Sequence, residues 1–147
     1  ELGCEIGNHS FDHADLATLS AEDVTSQLSR TDEEIQNLVG HSATVVRPPY
    51  GSFNDTVAGI AARPLIMWSV DTLDWETQNA DSTVQNVMDN AQDGAIILMH
   101  DIFKESVDAA EVFIPQLIQE GYQLVTVSEL AAAKGITLEA GTSYGAF

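Results

Sequence analysis

Three things are scarce in these 147 residues: cysteine, positive charge and long apolar runs. Cys4 is the sole cysteine, so an internal disulfide and a cysteine-based zinc finger are both excluded. One thiol leaves the redox compartment open. Five Lys and Arg stand against 23 Asp and Glu, a formal charge of −18. Such a surface repels phosphate backbones and anionic membranes, which sets nucleic-acid binding aside. A neutral ligand or a cation is easier to bring in. No apolar run approaches the roughly 20 residues of a membrane-spanning helix. There is no internal repeat and no low-complexity linker. The chain opens at Glu1, with neither Met nor a signal-peptide pattern, which suits a processed product, an excised piece or part of something longer.

What is present reads as one globular domain. Apolar residues make up 44% and charged residues 19%, enough to bury a core without staples. Short apolar runs alternate with helical patterns. Strands are expected at Cys4–Gly7, Thr44–Arg47, Leu65–Val70, Ala95–Met99 and Gln123–Val127. Trp68 is expected in the core. Helices are expected from a Ser20 cap to a Gly40 stop, over Asn54–Ala62, from an Asp81 or Ser82 cap to an end at Asp93-Gly94, over Val107–Gln119, and from a Ser128 cap to Ala133. In the fourth of these, Ala110, Phe113, Ile114, Leu117 and Ile118 are expected inward. This alternation predicts an α/β fold of about five parallel strands with covering helices. Residues 1–135 form the domain, and 136–147 are its tail, expected over the surface.

The chemistry-bearing residues gather where expected strands end, and in parallel α/β folds those ends carry the active site. His9 and His13, four apart, can face one cation if the backbone turns between them; otherwise they are two surface histidines. Arg47-Pro48-Pro49-Tyr50-Gly51 is a stiff turn whose Arg could orient a carboxylate, or simply a rigid surface turn. Asp71, Asp74 and Trp75 pair acids with an aromatic face, which suits a sugar; the bland alternative is a helix cap beside a core Trp. His100 follows the apolar run Ala95–Met99 as a candidate general acid or base.

Taken in order, His9-Ser10-x-x-His13, Arg47-Pro48-Pro49-Tyr50-Gly51, Asp71-x-x-Asp74-Trp75 and Leu98-x-His100 resemble the signatures of the polysaccharide deacetylases, the NodB-homology group also called carbohydrate esterase family 4. Gly121-Tyr122-x-x-Val125-Thr126-Val127-Ser128-Glu129-Leu130 resembles the family's last strand and helix. The resemblance implies a distorted (β/α) barrel, a secreted or cell-wall location, and metal-dependent removal of acetyl groups from carbohydrate. The substrate would be an N-acetylglucosamine polymer of the peptidoglycan or chitin type, or O-acetyl xylan. It further implies that His9 and His13 bind a divalent metal, zinc first, with cobalt or nickel also accepted. The Tyr50 N–H would help hold the oxyanion. Leu98 would line the acetyl pocket, and Trp75 would wall the sugar groove. His100 would be the general acid, paired with Asp74. Arg47 would orient the base, and Ser10 would brace the metal loop.

The family's Thr-Phe-Asp-Asp-Gly signature, which carries the base and the third ligand, has no counterpart here. The expectation is an N-terminally truncated barrel completed by another segment, from a second chain or a swapped copy. The alternative is an inactive glycan-binding module or structural fragment derived from such a deacetylase.

Overall fold

The computed structural model describes residues 3–147. In chain order the elements are β1 (Gly7–Asn8), α1 (Ala21–Val39), β2 (Val45–Val46), α2 (Asp55–Ala61), β3 (Leu65–Ile66), β4 (Val70–Asp71), α3 (Asp74–Thr77), α4 (Ala80–Asn90), β5 (Ile97–Leu98), α5 (Lys104–Gln119), α6 (Val127–Ala133) and β6 (Ser143–Tyr144). The fold is α/β and every strand pair in its sheets is parallel. Two compact units can be distinguished. One takes the chain up to Met67 with Ala131–Tyr144; the other takes Trp68–Leu130 with Gly145–Phe147.

The first unit holds a four-stranded sheet in the order β1-β2-β3-β6. Its helices form where the residues require it. Ser20 accepts from the Asp23 N–H at 3.2 Å, so it caps α1 as expected, while its hydroxyl donates to the Asp23 carboxylate at 2.7 Å, a side-chain contact in place of the box's return bond to the cap N–H. Gly40 ends α1 at φ 84°, a conformation a side chain disfavours. Between these caps, Val24 and Leu28 lie one turn apart and bury against Leu16, Val46, Val57 and Leu65. Each such side chain contributes about 1.5–3 kcal/mol on burial. Leu38, at the end of the same helix, is 82% exposed.

The second unit holds the two-stranded sheet β4-β5, in register Val70 to Ile97 and Asp71 to Leu98. Its core packs Val87 of α4 against Ala109, Phe113 and Leu117 of α5.

Several sequence expectations need correction. Leu65–Val70 is two strands, β3 and β4, which belong to different sheets. Trp68, between them, is half-buried rather than core. Gln123–Val127 forms no strand: its Leu124 and Val125 are exposed and find no ladder partner among the described residues. A β-prone run without a neighbour to bond has no reason to extend. Thr126, not Ser128, caps α6, through a reciprocal box with Glu129: the Glu129 N–H donates to Thr126 Oγ1 at 3.2 Å, and the Thr126 N–H to Glu129 Oε2 at 2.9 Å. Asn79, not Asp81 or Ser82, caps α4, accepting from the Ser82 N–H at 2.8 Å. Helix α5 starts at Lys104 and buries Ser106, Ala109, Phe113 and Leu117, leaving Ile118 58% exposed. The tail is not merely laid over the surface, since Ser143–Tyr144 pairs with Leu65–Ile66.

Candidate active site

In the first unit the β1 end leads into His9-Ser10-Phe11-Asp12-His13. The His9 and His13 rings stand edge to face with centroids 4.9 Å apart. A ligating nitrogen sits about 2.1 Å from zinc with the ring centre roughly 1.1 Å behind it, so two imidazoles on one tetrahedral ion place their centroids about 5 Å apart. His9 Nδ1 meets the Arg47 carbonyl at 2.5 Å. A carbonyl can only accept, so Nδ1 carries the hydrogen and Nε2 the lone pair. That tautomer is the one metal-ligating histidines adopt. The Tyr50 ring closes on His13 at 4.7 Å.

Helix α1 holds this loop. Asn8, fully buried, donates to the Leu28 carbonyl and to Asp32 Oδ1, each at 2.9 Å. Its own Oδ1 accepts from the Ser10 N–H at 3.0 Å. Gln27 Oε1 accepts from the N–H groups of Phe11 and Asp12 at 2.9 and 3.2 Å. Arg30 lies over the Phe11 ring at 3.6 Å, a cation–π contact. The brace therefore reaches Ser10 through its backbone. The Ser10 hydroxyl is buried with no hydrogen-bond partner among the described residues.

Arg47 extends from the end of β2 and is spent on main chain. Its Nε donates to the Ile66 carbonyl at 3.2 Å and its Nη2 to the Met67 carbonyl at 3.3 Å. Burial pulls its pKa below the ordinary guanidinium value.

In the second unit Asp74 is 1% exposed and accepts four hydrogen bonds. Oδ2 takes the His100 N–H at 2.7 Å and the Ser106 hydroxyl at 2.6 Å. Oδ1 takes the Trp75 N–H at 3.0 Å and His100 Nδ1 at 2.9 Å. Burial pushes this carboxyl up, but the hydrogen bonds from Ser106 and His100 outweigh it and hold it below the usual carboxylate value. An ionised Asp74 fixes the hydrogen of His100 on Nδ1 and leaves Nε2 for proton transfer. With its lone-pair positions filled, Asp74 has no capacity left to serve as a base toward water. Thr72 Oγ1 donates to the Leu98 carbonyl at 2.9 Å, tying β4 to β5 just ahead of His100. Leu98 is buried, and Trp75 is 47% exposed.

The structure thus assembles His9, His13, Arg47 and Tyr50 in one unit, and Asp74, Trp75, Leu98 and His100 in the other. Backbone strain marks the same loops. Among the described residues six non-glycine residues have positive φ, and Ser10, His13, Tyr50 and Leu73 lie in or beside the motifs. Ala62 and Gln78 are helix C-caps. Strained backbone of this kind concentrates at functional sites. Sequence reasoning missed Asn8, Gln27, Asp32 and Ser106. Only the position of Asn8, a polar residue directly before His9, offered any signal.

The histidine pair suits a divalent cation in donor type and ring spacing, and His9 also in the hydrogen bond its Nδ1 makes. It is incomplete in number. A catalytic zinc takes three protein ligands and a water. No group of three or more His, Cys, Asp or Glu among the described residues is placed to hold a metal.

A family model for polysaccharide deacetylase matches residues 1–64. The chain is 42% identical over 132 residues to the peptidoglycan-N-acetylmuramic acid deacetylase PdaC of Bacillus subtilis, covering 90% of this chain and 28% of that protein. It therefore spans under a third of this relative's length. Among solved structures, the T48 deacetylase with substrate superposes with a TM-score of 0.91 at 38% identity, covering 95% of this chain and 69% of the other. BA3943 of Bacillus anthracis, described as a family 4 pseudoenzyme, gives 0.80 at 36% identity, covering 86% and 46%. With those motifs, that fold and these likenesses, the chain belongs to the polysaccharide deacetylases, carbohydrate esterase family 4.

Proposed function

We propose that this chain carries most of the active site of a deacetylase acting on acetylated glycan at the cell wall or outside the cell, within a distorted (β/α) barrel. The observation that supports this best is the Asp74–His100 pair. A buried, ionised carboxylate on four donors holds one imidazole nitrogen and orients the other as a proton donor. His100 then delivers its Nε2 proton to the departing amine or alkoxide of the sugar. Trp75 offers an exposed indole face to a pyranose ring, and Leu98 an apolar wall to the acetyl methyl. The Tyr50 N–H takes part in holding the oxyanion. Arg47 orients the base when that base is present.

His9 and His13 are the residues that would hold a divalent cation, zinc with cobalt or nickel as substitutes, and when bound it would polarise the acetyl carbonyl. The family's aspartate pair, to which the resemblance gives the roles of base and third ligand, is not among these 147 residues. PdaC's name points to peptidoglycan as substrate. The −18 charge favours a neutral acetylated chain, N-acetylglucosamine oligomers or acetyl xylan, over a strongly anionic polymer.

A second reading is favoured by one observation, the incomplete metal-ligand set. On that reading the chain binds glycan without turnover, as a pseudoenzyme. The deciding experiment measures acetate released from N-acetylglucosamine oligomers, peptidoglycan and acetylated xylan, with added Zn²⁺. The chain alone is compared with the chain joined to the aspartate-pair segment. Metal-dependent release that His100→Ala abolishes supports the deacetylase. Glycan binding without release in either form, undiminished by His100→Ala, supports the binding module.

A further inference from the structure

Ser106 is the one polar residue on the buried face of α5. Ala109, Phe113 and Leu117 continue that face into the apolar core. An apolar side chain would suit the position on packing grounds alone. A serine in a helix usually spends its hydroxyl on nearby main chain. Ser106 instead reaches 32 residues back along the sequence and donates to Asp74 Oδ2 at 2.6 Å. The same oxygen already accepts the His100 N–H at 2.7 Å. The other oxygen faces His100 Nδ1 at 2.9 Å.

We propose that Ser106 is a positioning residue for the general acid, drawing charge toward Asp74 Oδ2 and so limiting how tightly Asp74 holds the protonated ring of His100. This rests on the deacetylase reading, in which His100 must give its proton up during turnover. A carboxylate with one donor fewer on its second oxygen would grip the imidazolium harder and make it a weaker acid. Hydrogen-bonded groups polarise one another in this way through a shared acceptor. The carboxylate does not need Ser106 to stay in place. The His100 and Trp75 N–H groups hold one oxygen each. Loss of the hydroxyl therefore acts on charge more than on geometry. Charged residues on the neighbouring segments are Asp71 of β4, Glu76 of α3, Asp101 next to His100 in the chain, and Lys104 and Glu105 of α5. The carboxylate hydrogen-bonded to the His100 ring is that of Asp74.

The test needs no turnover, so its result is independent of the acetate assay. The imidazole of His100 is followed by NMR across pH in the 147-residue chain, its resonances assigned with His100→Gln. In Ser106→Ala the His100 midpoint is expected to rise by roughly half a pH unit or more. Ser106→Thr keeps the hydroxyl and is expected to return the midpoint to the starting value. An unchanged or lowered midpoint in a folded Ser106→Ala overturns the proposal, even where its melting temperature falls, because that is the mark of a packing role. If Ser106→Ala does not fold, Ser106→Cys is read instead: its weaker donor raises the midpoint if the proposal holds and leaves it unmoved if it does not.

Discussion

The side-chain amide of Asn8 donates to Asp32 Oδ1 at 2.9 Å, and Arg63 grips the same carboxylate with two hydrogen bonds of 2.7 and 2.8 Å. A line of polar contacts thus runs from Arg63 through Asp32 and Asn8 to the Ser10 N–H, inside the histidine loop. Removing Asp32 leaves a guanidinium and a buried amide short of an acceptor. Asp32→Ala is expected to cost about 2–3 kcal/mol in urea unfolding. A change below about 0.5 kcal/mol, the scale of an ordinary surface substitution, would show that the line bears no weight.

Gln27 makes a finer prediction, because its side-chain carbonyl accepts two loop N–H groups while the residue is only half-buried. Gln27→Leu is expected to leave global stability within about 1 kcal/mol and to speed amide exchange at Phe11 and Asp12. Gln27→Glu keeps an acceptor and should restore protection. Equal exchange rates in all three forms would mean that the loop holds its shape unaided.

The two halves of the candidate site were unequally legible. His9, His13, Arg47, Asp74 and His100 could be read because their chemistry is unusual for loop ends and their order matches a known set. Ser20 and Gly40 were legible as caps because capping is local. The brace on the histidine loop was not, since Asn8 and Asp32 lie 24 residues apart and no periodicity links them. Gln123–Val127 failed for the opposite reason: β propensity is local, but a strand exists only with a partner. The face of α5 was misread because the helix was expected to begin at Val107, which left Ser106 outside it, and nothing local signals that Asp74, 32 residues away, receives its hydroxyl.

Asp74 couples the site to stability through pH. Its folded-state pKa is depressed, so its contribution is complete above the unfolded value of about 3.9 and is lost as pH falls through the folded one. Asp74→Asn turns an amide N–H₂ toward hydrogens that the carboxylate had accepted. At pH 7 the expected loss is about 2–4 kcal/mol. The gap between wild type and Asp74→Asn should narrow only below about pH 4. A gap that is constant from pH 7 to pH 3 would remove the pairing from the account.

Gly94 is the last position where a single atom decides the outcome. It sits at φ 88°, and a Cβ built there would lie 1.9 Å from the Phe147 carbonyl oxygen. The Phe147 N–H also donates to the Gly94 carbonyl at 3.0 Å, so the two backbones cannot part without losing that bond. Gly94→Ala therefore meets both an unfavourable backbone region and a clash with main chain, which cannot rotate away as a side chain can. The expected cost is about 2–4 kcal/mol in thermal or urea unfolding. Gly59→Ala serves as the control, since its added Cβ meets nothing within 4 Å and it lies inside α2, where alanine is the better helix former. That substitution should stabilise by up to about 1 kcal/mol. If the two alanines behave alike, Phe147 is not seated against Gly94 in solution.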